Sequence, residues 1–324
     1  MNRRSLLGAA VSLAVATAVL PAHAQQEITF GIISTESTQN LKADWEPLLA
    51  DMEKKTGLKV KAFFASDYAG IIEGMRFNKV HVGWFGNKSA MEAVDRAGGE
   101  VFAQMVNADG TQGYYSHLIV HRDSPVKSLD DVLKGAKSMS FGNGDPNSTS
   151  GFLVPSYYVF ALNKVDPKTA FKVVRAANHE TNALAVANKQ VDVATNNSEN
   201  LDKIKQRFPE KFNDLRVVWT SPLIPSDPLV MRADLPAATK TKIKDFFYSY
   251  GKSDAEKATL MKLSKLSGFK ESSNRQLIPI RQLELFREKT KLEGDDKMAA
   301  GERAAKIAEI DKKLAELNTQ LAQK

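Results

Sequence analysis

Short runs rich in β-branched and aromatic residues alternate with helical patterns along most of the chain, and this alternation constrains the fold more than any other feature. Such an order is typical of α/β folds, in which parallel sheets are covered by helices on both faces. Predicted strands lie at residues 28–34, 59–65, 80–85, 114–121, 138–142, 173–177, 191–195 and 215–221. Predicted helices lie at residues 40–56, 68–78, 89–97, 129–134, 182–189, 198–208, 240–250 and 255–263, with a further long helix from Ser148 and a helical region from Met231 onward.

The first 24 residues have the pattern of a secretory signal peptide. Two arginines precede an apolar run at residues 6–20, and Ala-His-Ala at residues 22–24 forms a small-residue cleavage site. We expect removal of residues 1–24 and a mature periplasmic chain that starts near Gln25. The arginine pair also faintly resembles a twin-arginine export signal, which is the alternative hypothesis for the export route. No later run approaches the ~20 apolar residues of a membrane span.

Composition narrows the class of protein further. The 324 residues contain no cysteine, which excludes disulfides, thiolate metal sites and a lipid-bearing cysteine, so we expect a soluble protein that is not a lipoprotein. The net charge of +7 falls to +5 without the signal peptide, and the charges interleave along helices. This argues against a nucleic-acid partner. No histidine or carboxylate cluster has metal-ligand spacing, and neither a metal nor a cofactor is expected.

Residues 141–151 read as a strand end, a tight turn and three hydroxyl residues that open a helix. Ser148, Thr149 and Ser150 would occupy the N-cap and first turn, where unpaired backbone amides and the positive end of the helix dipole meet. Hydroxyls beside those amides can donate several hydrogen bonds to a tetrahedral oxyanion. The alternative for each residue is ordinary helix capping. Three in a row favour an anion site.

Five segments together closely resemble the PhnD family, the periplasmic phosphonate-binding proteins of ABC importers. They are residues 31–37, 67–72, 142–152, 179–187 and 221–225. The likeness covers roughly residues 28–287. It implies a protein that captures a phosphonate and delivers it to an inner-membrane permease and its ATPase, without catalysis.

The resemblance also implies a type II periplasmic binding protein fold, with two Rossmann-like lobes joined by two crossing strands and a C-terminal helical tail. The expected order is a signal peptide at 1–24, the first part of lobe I at 25–113, lobe II at 114–220, the second part of lobe I with closing helices at 221–294, and a charged helical tail at 295–324. The strands at 114–121 and 215–221 are the expected crossings.

The same resemblance implies the binding residues. For the phosphonate head they are Ser148, Thr149, Ser150, Tyr68, Tyr114 and His179. For an ammonium group at the other end they are Glu199 and Asp227, which would favour 2-aminoethylphosphonate over ligands without a cation. His179 could instead be a cap or a buried hydrogen-bonding group, and as a donor it would bind an anion more strongly once protonated.

Two aromatic positions depart from the family pattern. Phe85 stands where a tyrosine is expected, which would make the site wall more apolar, and the second residue of Tyr114-Tyr115 also differs. Both departures concern fine specificity.

Three other functions are alternatives to phosphonate binding. A receptor for phosphite or phosphate would share the hydroxyl-rich helix start, and only the two acids distinguish it. A phosphoester hydrolase would need Ser148, His179 and Asp227 as nucleophile, base and orienting group, but the Gly-x-Ser-x-Gly elbow is missing. A scaffold protein would leave the hydroxyl row unexplained.

The C-terminal tail carries a short apolar seam with steps of three and four residues, formed by Ile307, Ile310, Leu314, Leu317 and Leu321. A seam of this kind is typical of a coiled coil, but two heptads are marginal alone. The tail is expected either to dock on its own lobe or to form a homodimer contact.

Overall fold

The structure is a computed structural model that describes residues 26–323. The predicted signal peptide lies outside the described residues. Within that part of the chain, no helix is both long and apolar to the degree that crossing a membrane requires.

Thirteen strands and twelve α-helices make up the described chain. The strands are β1 Glu27–Ile32, β2 Lys59–Phe64, β3 Val82–Trp84, β4 Gly99–Asn107, β5 Gly113–Tyr114, β6 Ser116–His121, β7 Ser140–Asn143, β8 Val173–Ala176, β9 Val193–Asn197, β10 Leu215–Thr220, β11 Ile224–Pro225, β12 Pro228–Arg232 and β13 Leu266–Glu271. The helices are α1 Thr38–Thr56, α2 Tyr68–Arg76, α3 Asn87–Arg96, α4 Leu129–Gly135, α5 Pro167–Ala170, α6 His179–Ala187, α7 Ser198–Arg207, α8 Pro209–Asn213, α9 Ala237–Ser249, α10 Asp254–Ser264, α11 Ile278–Glu293 and α12 Ala300–Ala322.

The strands form two main sheets. One has the order β13-β4-β12-β3-β1-β2, and the other has the order β10-β6-β9-β7-β8. We call these sheets with their helices the six-stranded half and the five-stranded half. The predicted α/β class is confirmed.

The sheets are mixed rather than wholly parallel, and the prediction of parallel sheets was wrong in this respect. β1 runs parallel to β2 and β3, and β7 runs parallel to β8 and β9. β6 and β12 run antiparallel to every neighbour they pair with. Each of these two strands receives the chain from the other half, so each starts at the edge where the parallel strands end.

The chain passes between the halves twice, at the short antiparallel pair β5–β11. A Cβ atom on Gly113 would lie 2.0 Å from the carbonyl oxygen of Ile224, so only glycine permits this close pairing. The strands expected at the crossings, β6 and β10, instead pair with each other in the five-stranded half. The crossings lie just outside them.

The helix expected from Ser148 has a different geometry. Two π-helical segments, Thr149–Leu153 and Ser156–Ala161, flank Pro155. Leu153 N–H donates to the carbonyl oxygen of Ser148, five residues back, at 3.1 Å. Proline removes a backbone donor from the helix interior, and π-helical turns occur frequently at functional sites.

The sequence did not predict β4, β11, β12, β13, α5 or α8, whereas α11 lies within the predicted helical region. Met231 lies in β12, so the helical region does not begin there. The residues of β12 from Pro228 to Met231 are buried, and a run of this length has no periodicity that separates a strand from a helix. The helical region begins with α9.

An apolar cluster joins the two halves beside the crossings. Leu153 and Val154 of the five-stranded half belong to the same cluster as Ile280 and Leu283 of α11. Nearby, the rings of Tyr157 and Phe286 lie 6.2 Å apart. The halves are therefore packed together along one side.

The C-terminal helix α12 packs on α11 of its own chain. The seam residues Ile310 and Leu314 are buried, whereas Leu321 is exposed. Polar contacts accompany this packing, including Gln282 to Asn318 at 2.7 Å and Lys289 to Asp311 at 2.5 Å.

Candidate functional site

One cavity of about 40 Å³ lies between the two halves, at the edge where the parallel strands end. Ligands of open α/β sheets bind at this edge. The cavity lining includes all eight residues that the sequence pointed to: Tyr68, Tyr114, Ser148, Thr149, Ser150, His179, Glu199 and Asp227. The fold thus brings together residues spread over 160 positions of the sequence.

The three consecutive hydroxyl groups are buried and are oriented by donors from three directions. A hydroxyl has one proton to donate, and its oxygen can accept other hydrogen bonds. Each oxygen already accepts one hydrogen bond from the protein: Gly151 N–H to Ser148 at 2.9 Å, Lys88 N–H to Thr149 at 2.8 Å, and Asn197 Nδ2 to Ser150 at 3.0 Å. The three hydroxyl groups, which we call the hydroxyl row, are therefore oriented so that each can donate its own proton to a ligand.

The bond to Thr149 joins the two halves. Lys88 lies in α3 of the six-stranded half, and its N–H is one of the unpaired donors of that helix start. Thr149 therefore contributes both to the cavity wall and to the contact across it.

His179 is the first residue of α6 and is buried. Its Nε2 lies 3.4 Å from Ser148 Oγ and 3.2 Å from Asn197 Nδ2, and its Nδ1 has no partner in the described chain. Burial lowers the pKa of His179 to about 4. At neutral pH the ring is uncharged, so the expected gain from protonation applies only at strongly acidic pH unless a bound anion raises this pKa.

Tyr68 and Tyr114 are buried phenols on opposite sides of the row. Burial raises the pKa of both far above the usual value, with nearby acids adding to the effect. Tyr68 interacts with Ser148, and Tyr114 interacts with Ser150 and Asp227. Both phenols remain protonated and can donate.

Glu199 and Asp227 line the same cavity, and burial works against their charge. Burial raises the pKa of Glu199 to about 7, although Lys203 favours the charged form. The pKa of Asp227 is also well above its usual range because of burial and the charge of Glu199. Asp227 Oδ2 accepts a hydrogen bond from Trp84 Nε1 at 3.0 Å, whereas Oδ1 is buried and has no partner within residues 26–323.

Several cavity residues were not predicted from the sequence. They are Ile33, Thr35, Glu36, Trp84, Gly86, Asn197, Asn200, Lys203 and Ser264. Four of them, Ile33, Trp84, Gly86 and Asn197, lie at the carboxyl end of a strand or within two residues of it, so the rule that ligands bind at strand ends could have found them. Thr35, Glu36 and Asn200 lie three or four residues beyond a strand, and Lys203 and Ser264 lie in helices, so these five gave no such signal.

The two aromatic departures lie away from this cavity wall. Phe85 is fully buried in the apolar cluster between the halves and does not line the cavity, so the expectation of a more apolar wall was wrong. Its strand neighbour Trp84 points to the other side and lines the cavity. Tyr115 is half-exposed and lines a second, wider cavity of about 340 Å³.

The arrangement does not form a hydrolytic triad. Ser148 lies near His179, but Asp227 contacts Trp84 and Tyr114 rather than the histidine. Since His179 Nδ1 has no partner, no group orients the ring as a base.

Two α/β halves with a polar site between their strand ends make this a type II periplasmic binding protein, a class that captures small molecules for transport. The chain belongs to the family described as "ABC transporter, phosphonate, periplasmic substrate-binding protein", whose model matches residues 30–277. The resemblance seen in the sequence is thereby confirmed.

Individual relatives agree with this assignment. The chain is 58% identical over 307 residues to the phosphonates-binding periplasmic protein of Escherichia coli strain K12, with 94% of this chain and 90% of that protein covered. It is 56% identical to the binding protein component of an ABC phosphonate transporter from Pseudomonas aeruginosa, whose crystal structure superposes with a TM-score of 0.91 over 93% of this chain and 99% of that one. It is 31% identical to a phosphate-import protein of Mycolicibacterium smegmatis, over 68% of this chain and 71% of that protein.

The family consists of substrate-binding components of transporters, so the prediction that this chain is not an enzyme is confirmed. Membership also implies a periplasmic location and association with an ABC permease and its ATPase.

Proposed function

We propose that this protein captures 2-aminoethylphosphonate in the periplasm and delivers it to an ABC importer. The observation that supports it most is that one cavity is lined both by three oriented hydroxyl donors, here called the donor end, and by two acids whose charged forms burial disfavours, here called the acidic end. The donor end suits the three phosphonate oxygens, which would accept from Ser148, Thr149, Ser150, Tyr68, Tyr114 and His179.

The acidic end gives this proposal its finer specificity. Glu199 and Asp227 regain their charge if an ammonium group lies between them, because a nearby cation favours ionised carboxylates. A ligand without a cation leaves both acids buried and neutral, or charged and repelling each other. The relief of this penalty favours an aminoalkyl phosphonate over a simple one.

Capture would occur by closure of two lobes around the ligand. We assign lobe I to residues 25–113 and 221–294 and lobe II to 114–220, which keeps each sheet in one lobe. Contacts across the cleft support closure as the binding step. Glu36 and Asp44, both buried, pair with Lys203 and Arg207 of α7, and the Asp44–Arg207 contact is 2.5 Å long. The permease would then distinguish loaded from unloaded protein by lobe orientation.

A phosphate or phosphite receptor is the second candidate, since the phosphate-import relative shares 31% identity. The acids Glu199 and Asp227 argue against it here, because phosphate and phosphite carry no cation that would favour the charged forms of these acids. A phosphoester hydrolase has no support from the site.

The proposal also covers the export of the chain and its oligomeric state. Residues 1–24 would be removed as a signal peptide, and the mature chain would be free of lipid because it has no cysteine. The seam of α12 packs on α11, which favours a docked tail over a homodimer contact. We expect sedimentation of the mature protein as a single chain, and a mass of two chains would contradict the docked tail.

The test of the proposed function is calorimetric titration of the mature protein, refolded from denaturant to remove any bound molecule, with 2-aminoethylphosphonate, methylphosphonate, phosphate and phosphite. Tightest binding of the amino compound is expected. Equal or tighter binding of phosphate or phosphite would overturn the proposal and make the protein a general oxyanion receptor.

A further inference from the structure

Asn200 is a buried polar residue to which the proposed site assigns no role. It is the third residue of α7 and directly follows Glu199. Its backbone N–H is capped by Asn197 Oδ1 at 2.7 Å, its side chain lines the cavity, and the residue is only 4% exposed. Its position is therefore fixed by the helix start, and its amide lies at the cavity wall.

Neither end of the Asn200 amide has a hydrogen-bond partner in the described chain. A carboxamide can donate twice and accept twice, and leaving a buried polar group unpaired costs free energy. Native proteins keep few such groups, and a functional role is one explanation for them.

Other buried asparagines nearby show that this is not a general property of the region. Asn182 donates to the carbonyl oxygens of Gly142 and Asn143, at 3.2 and 3.0 Å. Asn196 donates to the carbonyl oxygen of His179 at 2.8 Å, and Asn197 donates to Ser150. Asn200 is the exception, with both amide atoms unpartnered and facing the cavity.

The chemistry of an ammonium group accounts for this exception. An ammonium carries three N–H donors. Asp227 offers Oδ1, because its Oδ2 already accepts from Trp84, and Glu199 offers its carboxylate. A further acceptor in another direction would complete the hydrogen bonding of the ammonium. Asn200 follows Glu199 in sequence and lines the same cavity, and its Oδ1 has no competing donor.

We propose that Asn200 is a specificity-determining residue whose Oδ1 accepts the third hydrogen bond from the ammonium of the bound aminophosphonate. This inference rests on the proposed function, since it requires a ligand with an ammonium group. It adds a neutral acceptor that selects for the amine without adding a third buried charge.

The experiment compares wild type with Asn200→Leu, which is similar in size and has no polar atoms. Binding of 2-aminoethylphosphonate to Asn200→Leu is expected to weaken by about tenfold to a hundredfold. Binding of methylphosphonate, which has no ammonium, is expected to change by less than about threefold. Asn200→Asp keeps an acceptor oxygen and is expected to bind the amino compound more tightly than Asn200→Leu does.

Thermal unfolding of the unliganded variants separates this role from a structural one. Asn200→Leu removes an unpaired polar group, so its unfolding midpoint is expected to equal or exceed that of wild type. Asn182→Leu is the matched control, because it removes a buried amide that is paired, and its midpoint is expected to fall. A fall of equal size for Asn200→Leu would assign Asn200 to the fold and overturn the inference.

The binding outcomes distinguish this inference from the proposed function. If wild type binds 2-aminoethylphosphonate no better than methylphosphonate, the proposed function itself fails. If wild type prefers the amino compound and Asn200→Leu keeps that preference, only the role of Asn200 fails. Equal weakening of both ligands would place Asn200 at the phosphonate end and also contradict the inference.

Discussion

Two groups of residues in the cavity differ in how their polar atoms are paired. Ser148, Thr149 and Ser150 each accept a hydrogen bond from the protein, so their geometry is set before any ligand arrives. Asp227 Oδ1 has no partner among the described residues, and burial raises the pKa of Glu199. The hydroxyl row is therefore preorganised, whereas burial disfavours the charged forms of the two acids.

If the proposed function holds, this difference gives the two groups of residues separate tasks. Preorganised donors lose little freedom on binding, so they would provide affinity for any phosphonate. Desolvated acids cost free energy that a cation offsets, so they would provide selectivity among phosphonates. The following variants test whether affinity and selectivity are separable in this way.

The largest effect is expected from Thr149→Val, which keeps the shape of the side chain and removes its hydroxyl. Loss of a hydrogen bond to a charged group costs about 1.5–3 kcal/mol, so binding of both 2-aminoethylphosphonate and methylphosphonate should weaken by about tenfold or more. Titration of both ligands measures this. Thr169→Val, on the exposed helix α5, is the control and should bind as wild type does. Loss for one ligand only would show that the hydroxyl row does not serve the shared phosphonate.

A selective effect is expected from Glu199→Gln, which replaces a carboxylate by an isosteric amide. Binding of 2-aminoethylphosphonate should weaken by about tenfold, because a charge-assisted hydrogen bond becomes a neutral one. Binding of methylphosphonate should stay the same or improve, since a penalty for burying the acid disappears. Competition between the two ligands on one sample measures the ratio directly. An unchanged ratio would mean that Glu199 does not contribute to selectivity.

The smallest effect is expected from Arg207→Gln, which weakens the ion pairs across the cleft without touching the cavity. Arg207 pairs with Glu36 and Asp44, while Lys203 remains to pair with both. Affinity for the two phosphonates should fall by the same factor of about three to ten, since the closed form loses stability whichever ligand it holds. The exposed pair Lys189–Asp123 provides the control variant Lys189→Gln. A change in the ratio of the two affinities would contradict a role limited to closure.

The sequence predicted the α/β class and most element positions, but it could not predict strand direction. β6 and β12 are antiparallel because they enter their sheets from the crossings, and no local pattern records that path. The sequence also could not predict the π-helical turns after Ser148. The spacing of apolar residues does not distinguish an α-helix, with hydrogen bonds to the residue four back, from a π-helix, with hydrogen bonds to the residue five back.

For the candidate site, motif resemblance pointed to residues that the fold brings to one cavity, and it missed others for a physical reason. Asn200 looks like an ordinary polar residue in a helix, and only burial without a partner distinguishes it. Phe85 and Trp84 are adjacent, and successive side chains of an extended backbone point to opposite faces. Trp84 lines the cavity and Phe85 does not, and the sequence does not show which face borders the cavity.

The proposal depends on Glu199 and Asp227 being partly protonated before binding, because burial raises the pKa of both, and becoming ionised against an ammonium group. Glu199 has a pKa of about 7 in the folded protein and an ordinary value of 4.5, so the folded state holds the extra proton between these two pH values. This acid therefore lowers stability as pH rises through that window. An ammonium ligand reverses the shift, so its binding should release protons and strengthen as pH rises to about 7.

The most direct measurement is the number of protons released on binding at pH 6, obtained by calorimetry in buffers of different ionisation enthalpy. Binding of 2-aminoethylphosphonate is expected to release about one to two protons more than binding of methylphosphonate, because two acids ionise, and Glu199→Gln is expected to reduce this difference. Methylphosphonate is the control because its own acid group also titrates near this pH. Equal proton release for the two ligands would contradict the account, because the acids would then already be charged before the ammonium arrives.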